Sequence, residues 1–191
     1  MTAPLAGPSL PVLGSRGMLT ALREGDVDRV LEACTTPAAE RWLETPVPYR
    51  RADAEAFVRE FVPAGWRGEH DERVWAIRES LHGPLMGVLG LREGSVEVGF
   101  WLHPEGQGRG LMADAVRAAV GHADGCLTWP EVRWACYVGN TASMRVAKAA
   151  GFSYLGVREG LHRGVPEQQH HAVRPSSGEA PAEALPWPDL G

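Results

Sequence analysis

The sequence predicts a mixed α/β (α+β) fold, and three patterns carry that expectation. From Ser95 to Leu102, the residues Val96, Val98, Phe100 and Leu102 alternate with Glu97, Gly99 and Trp101, the period of a strand. Directly after a glycine-rich turn, Leu111, Met112, Ala115, Val116, Ala119 and Val120 recur at helical spacing. The same strand-to-helix order returns at Val132 to Val138 and Asn140 to Ala150. Strand–helix–strand units therefore belong to the second half of the chain only.

The elements follow in order. Residues 1–13, punctuated by proline and glycine, are expected to form a loose arm. Gly17 to Glu24 reads as a first strand. Gly25-Asp26 turns it into a helix with Val27, Val30, Leu31 and Cys34 on one face and Asp26 as the expected N-cap. Two prolines in Thr45-Pro-Val-Pro-Tyr49 prevent helix. A second helix carries Ala54, Phe57, Val58, Phe61 and Val62 as its apolar stripe and is expected to stop at Pro63-Ala-Gly65. Arg73 to Glu79, Leu85 to Leu91 and the Glu97 strand read as an antiparallel meander with turns at Gly83-Pro84 and Glu93-Gly94. The long helix is expected to close between Gly121 and Gly125, and the next to be capped by Asn140 or Thr141 and ended by Gly151. Phe152 to Val157 and Glu167 to Val173 are the last expected strands. From Arg174 onward Pro, Ser, Gly and Ala dominate, the composition of a disordered or surface-lying tail. The chain thus divides into an arm (1–13), one domain (14–174) and a Pro-rich tail (175–191).

At 191 residues the chain can bury one sizeable core. Its 44% hydrophobic and 23% charged fractions suit a soluble globular protein. A net charge of −5 argues against a nucleic-acid partner, which calls for a basic patch or stripe. No apolar run approaches a membrane span, and Met1 to Leu13 lacks the basic n-region and long apolar core of a secretory leader. Cys34, Cys126 and Cys136 form no C-x-x-C pair and read as reduced core thiols. The expected compartment is the cytoplasm.

The candidate chemistry centres on His103-Pro-Glu-Gly-Gln-Gly-Arg-Gly-Leu-Met112. Glycines at a strand-to-helix turn permit positive φ and let a ligand approach bare backbone. The first helical N–H groups have no partner inside the helix and sit at the positive end of its dipole, so an anion, above all a phosphate, suits them. The loop lacks the G-K-[ST] ending of a Walker A motif, and Ala113 stands where a dinucleotide fingerprint needs its third glycine. A glycine turn that merely starts a helix is the competing reading. Glu97, in mid-strand among bulky apolar residues, is a candidate base, because desolvation raises a carboxyl pKa; an outer-face Glu is the alternative. Asn140 and Ser143 share one side of a first helical turn and are ordinary caps on their own. His170-His171 are adjacent, which points the two rings apart in a strand and suits no single metal; no metal site is expected.

Taken together, these segments resemble a known family. Glu105-Gly-Gln-Gly-Arg-Gly110 is similar to the [QR]-x-x-G-x-[GA] loop of the GNAT superfamily of acetyl-CoA-dependent N-acetyltransferases, with Glu departing at the first position. Asn140-Thr-Ala-Ser-Met-Arg-Val-Ala-Lys-Ala-Ala-Gly-Phe152 resembles their N-x-x-S-x-x-x-x-x-x-x-G-F segment. The spacing of the two, the upstream Glu97 strand and the N-terminal helices resemble the RimJ/RimL-type branch, over about Gly17 to Val173.

The resemblance implies a central mixed, mostly antiparallel sheet with helices on both faces. It implies acetyl-CoA as cosubstrate and no metal. The N–H groups of Gln107, Gly108, Arg109, Gly110, Leu111 and Met112 would hold the CoA pyrophosphate. The Trp101–Leu102 backbone would pair with the pantetheine arm, and Asn140 would hydrogen-bond that arm. Glu97 would act as general base through water and Ser143 as general acid on the leaving thiolate. The acceptor would be a primary amine, a peptide N-terminus or a small molecule, lying between Trp42–Arg51 and Arg158–Pro166. The basic excess of those loops (Arg41, Arg50, Arg51, Arg158, His162, Arg163 against Glu44 and Glu159) suggests an acidic feature on it. A monomer or homodimer without nucleic-acid or membrane partners is expected. A non-catalytic CoA-binding sensor is the alternative.

Overall fold

The computed structural model describes residues 7, 8 and 11–190. One eight-stranded sheet organises the chain, in the order β1-β2-β3-β4-β5-β6-β8-β7. Its strands are β1 (Val12–Leu13), β2 (Met18–Thr20), β3 (Glu72–Arg78), β4 (Gly87–Arg92), β5 (Glu97–Leu102), β6 (Glu131–Tyr137), β7 (Ser153–His162) and β8 (Val165–Pro175). Neighbours pair antiparallel except β5 and β6, which are parallel. This is the mixed, mostly antiparallel sheet the sequence predicted.

Helices cover both faces. The helices α1 (Val27–Cys34), α3 (Arg51–Ala56) and α4 (Val62–Trp66), with the π-turn Phe57–Phe61 between the last two, pack Val30, Ala54, Val58 and Val62 against Val74, Ala76 and Val88. On the other face α5 (Leu111–His122) and α6 (Thr141–Ala149) set Leu111, Val116, Met144 and Ala147 against Trp75, Ile77, Leu89 and Val98. β3 is therefore apolar on both sides, which is why Val74 to Ile77 reads as an unbroken buried run.

Several boundaries differ from the expectation, each for a local reason. Helix α2 (Pro37–Trp42) escaped the periodicity because it is only six residues long; Thr36 caps it by accepting the Ala39 N–H. The second predicted helix runs through Pro63 to Trp66, because a π-turn over Phe57–Phe61 precedes it. There Val62 N donates to Phe57 O, five residues back, and the proline that follows has no N–H to place. The stripe narrows accordingly: Phe61 is exposed and stacks on His70. The long helix passes both Gly121 and Gly125 and stops at Thr128, whose φ is 55°.

Asp26 does not cap α1. Its carboxylate accepts the Arg23 N–H at 2.7 Å and meets the buried guanidinium of Arg78 at 2.5 Å. Of the three cysteines, Cys34 and Cys136 are buried as expected, whereas Cys126 is exposed, and all three are free thiols.

Residues near both ends of the chain also meet the sheet. Within the predicted arm, residues 1–6, 9 and 10 lie outside the described residues, and Val12–Leu13 pair with β2. The tail lies on the surface: Leu185 N donates to Tyr154 O at 2.8 Å, and Trp187 Nε1 donates to Phe152 O at 3.3 Å. It thereby covers part of edge strand β7. Among the described residues no helix is long and apolar enough to cross a membrane.

Candidate active site

The glycine loop forms as the sequence predicted. His103 follows β5, and its Nδ1 accepts the Glu105 N–H at 3.3 Å while Nε2 faces Glu32 at 3.1 Å. A 3-10 turn over Pro104–Gly106 follows. Gly108 (φ 73°) and Gly110 (φ 70°) then hold the left-handed conformation that admits glycine at no steric cost. Gln107 departs from the predicted set, because its N–H donates to Pro104 O at 3.2 Å. Among the described residues no acceptor meets the N–H groups of Gly108, Arg109 or Gly110. Those of Leu111 and Met112 open α5, whose first turn leaves them without an intrahelical partner. Nothing lies within 4 Å of a Cβ built on Gly108, so the loop is open to solvent there. Glu105, the departure from the family pattern, turns toward α1 and pairs with Arg29 at 2.8 Å.

Above this loop the sheet opens. β5 and β6 share one register pair, Glu97 with Arg133, where Arg133 N donates to Val96 O at 2.8 Å. Past it, β5 stays laddered to β4 as far as Leu102, and β6 to β8 as far as Tyr137, without a ladder between them. Trp101 and Leu102 thus present one backbone edge to a gap that leads to the glycine loop.

Glu97 and Ser143 lie on opposite faces of the sheet, Glu97 at the joined end of that gap and Ser143 beside Trp134 of β6. Glu97 lies on the face opposite Val98, as alternation required. Burial raises its pKa, against the opposing pull of Arg92 and with a further push from Glu72. The desolvation predicted from sequence is therefore present, but the carboxylate is not alone: Arg92 donates to it at 2.8 Å and to Glu72 at 3.0 Å. Ser143 sits on the α6 side, where its Oγ accepts from Trp134 Nε1 at 3.2 Å and also meets the buried Cys136 thiol. Asn140 is a true N-cap, accepting the Ser143 N–H on Oδ1 at 3.2 Å; its NH2 remains for another partner.

The two predicted acceptor loops meet directly. The β7–β8 hairpin turns at Arg163-Gly164, both with positive φ as a two-residue turn requires. The Arg163 guanidinium donates to the carbonyls of Glu40 (2.7 Å) and Leu43 (2.9 Å), and the Arg163 backbone N–H donates to the Glu44 carboxylate at 2.9 Å. Arg41 pairs with Glu167 and Arg51 with Asp28, so much of the basic excess read from the sequence is neutralised internally. Sequence reasoning missed Tyr137 and Glu167. Tyr137 is buried, meets Glu44 and the Leu161 carbonyl through its hydroxyl, and stacks on His162 at 4.3 Å. His162 Nδ1 lies 2.9 Å from Glu167, while its Nε2 is buried with no partner among the described residues. No spacing signal marks this cluster, because its members come from three distant segments.

Comparison with known proteins agrees with this architecture. Residues 16–153 match the model of the acetyltransferase (GNAT) domain. No curated protein matches the sequence significantly. Among solved structures, a GNAT-family acetyltransferase from Bacillus anthracis superposes with a TM-score of 0.75 at 16% identity, covering 88% of this chain and 99% of that one. RimL, a ribosomal L7/L12 alpha-N-protein acetyltransferase solved with coenzyme A, gives 0.73 at 19% identity over 89% and 100%. The microcin C7 self-immunity acetyltransferase MccE, solved with acetyl-CoA and AMP, gives 0.72 at 17% identity over 89% and 96%. At such identities the likeness establishes the shared fold, with RimL representing the branch the motifs resemble. The domain match, which spans the glycine loop, the open strand pair and the Asn140 helix, is the stronger statement: the chain belongs to the GNAT acetyltransferase family.

Proposed function

We propose that this protein transfers an acetyl group from acetyl-CoA to a primary amine, by direct attack on the thioester in a ternary complex. The observation that carries the reading is the gap between β5 and β6, which leads to the unpartnered amides of Gly108, Arg109 and Gly110 and the first turn of α5. Those amides suit the pyrophosphate, and two positive-φ glycines with open space over Gly108 leave it room. The Trp101–Leu102 edge suits the pantetheine arm as an added strand, with the NH2 of Asn140 as a further donor. The acceptor amine enters past Tyr137 and His162, as a peptide N-terminus or a small molecule.

Amide formation makes a C–N bond and breaks a C–S bond. The amine must shed a proton, and an α-amine with a pKa of about 7.7–8 does so cheaply near neutrality. Glu97 takes that proton through water. Ser143 protonates the departing thiolate and recovers its proton from solvent. Holding both substrates in register contributes more than either transfer.

Two measurements test these roles. Glu97→Gln keeps a polar partner for Arg92 but loses the base, so kcat falls most at low pH and recovers above the amine pKa. Because burial raises the Glu97 pKa, wild-type activity is lost as pH falls through a value above the ordinary carboxyl range. A pH–rate profile unchanged by the substitution returns Glu97 to a structural role. Ser143→Ala should keep CoA affinity within a few-fold and lower kcat by roughly ten- to a thousand-fold. A variant that loses about 1–3 kcal/mol of stability through the unpaired Trp134 N–H, yet turns over normally, refutes the acid. Thiol release from acetyl-CoA across an amine panel tests the reading as a whole: CoA binding without amine-dependent release identifies a sensor domain instead.

A further inference from the structure

The segment Gly14-Ser-Arg-Gly17, ahead of the first long element, has a place in the site. Gly14 N donates to Gly17 O at 2.9 Å, closing a tight turn. The turn is fastened to the first turn of α5 by Asp114, which accepts from Ser15 N (3.1 Å), Ser15 Oγ (2.6 Å) and Arg16 N (2.7 Å). Neither flanking glycine tolerates a side chain: a Cβ on Gly14 would lie 2.2 Å from Asp114 Oδ2, and one on Gly17 2.6 Å from the Arg78 carbonyl oxygen. Asp114 is buried, which pushes its pKa up, but the Ser15 hydroxyl and the two backbone donors outweigh burial and hold it below the ordinary range. Asp114 therefore stays ionised, held by these donors and by Arg117, whose guanidinium lies 3.6 Å from its Oδ1.

The fastening brings the Arg16 side chain against the glycine loop. A Cβ on Gly110 would stand 3.5 Å from Arg16 Nε and 3.8 Å from its Cζ. The loop's other arginine, Arg109, is paired with Glu79, and Glu105 with Arg29. Among the described residues no carboxylate pairs with Arg16. An unneutralised guanidinium is thus held beside the backbone amides assigned above to a pyrophosphate.

We infer that Arg16 is a further binding residue of the coenzyme site, delivered by the Asp114-anchored turn to ligate the pyrophosphate. The inference rests on the acetyltransferase reading. A planar guanidinium offers two parallel donors to phosphate oxygens, which adds a charge-assisted pair to the backbone cradle.

The test is calorimetry on the full chain with CoA and with 3′-dephospho-CoA, beside turnover of acetyl-pantetheine, which carries no phosphate. Arg16→Gln should raise the Kd for both nucleotides by the same factor, about tenfold. It should leave the melting temperature and the acetyl-pantetheine KM unchanged. Arg16→Lys should recover part of the affinity, as a point charge without the fork. Unchanged CoA affinity in Arg16→Gln overturns the assignment. So does a loss confined to CoA, which would place Arg16 on the 3′-phosphate, or an equal loss with acetyl-pantetheine, which would make the effect structural. A wild type that binds no CoA overturns the acetyltransferase reading itself.

Discussion

Gly108→Glu is expected to abolish coenzyme binding while leaving the protein folded. Gly108 has a φ of 73°, and no atom lies within 4 Å of the position a Cβ would take there, so a glutamate meets open space. A left-handed conformation costs an L-residue about 1–2 kcal/mol, which a domain of this size survives. The carboxylate, however, lands at the proposed pyrophosphate site. Two unit charges 4 Å apart at an effective dielectric of 20 interact by about 4 kcal/mol. At about 1.4 kcal/mol per decade, that is a loss of several hundred- to a thousand-fold before any steric term. Gly108→Ala is the control: it carries the same backbone strain without charge and should bind CoA within about tenfold of wild type. Calorimetry decides the matter, with a cooperative thermal transition confirming that each variant is folded. Equal CoA affinity in wild type and Gly108→Glu would move the anion site elsewhere.

The second large effect concerns stability alone. Arg78 is 1% exposed, and its guanidinium donates to Asp26, to Thr20 Oγ1 at 3.0 Å and to the Gly83 carbonyl at 3.0 Å. Asp26→Ala leaves that cation buried with two neutral acceptors. Breaking a buried pair from one side typically costs 3–5 kcal/mol. For a chain of this length, that lowers Tm by roughly 6–20 °C. Arg51→Ala supplies the contrast: the Arg51–Asp28 pair is more than half exposed on both sides, and its loss should cost less than about 1 kcal/mol. Urea titration of the two variants compares them directly. A loss below about 1 kcal/mol in Asp26→Ala would mean that water reaches Arg78 after all.

Much of the site could be read from the chain itself because its parts are local. The glycine loop occupies eight consecutive residues between a period-two run and a period-3.6 run, so strand, turn and helix start were visible without tertiary information. The Asn140–Ser143 turn was legible for the same reason, and of the two expected caps, Asn140 and Thr141, it is Asn140 that caps. Glu97 was legible as a desolvated carboxylate, since alternation alone assigns its face. Asp26 misled, because a helix-start aspartate reads as a cap whether or not an arginine 52 positions later claims it.

What the sequence determined by itself is therefore the set of elements and the chemistry carried within each: the periodicities, the glycine turn and the family motifs. Tertiary structure alone decided how separate elements combine. It opened the gap between β5 and β6, since a parallel pair with a single register contact is a property of the whole sheet's packing. It tied Arg92 to Glu97, closed the Tyr137–His162–Glu167 cluster and engaged the acceptor-loop arginines with carboxylates and carbonyls. It also carried Arg16 to Gly110, 94 positions away, through Asp114. The physical reason is common to all of these. Periodicity reports which face of an element is apolar, but a charge finds its partner by distance in space, which no spacing along the chain encodes.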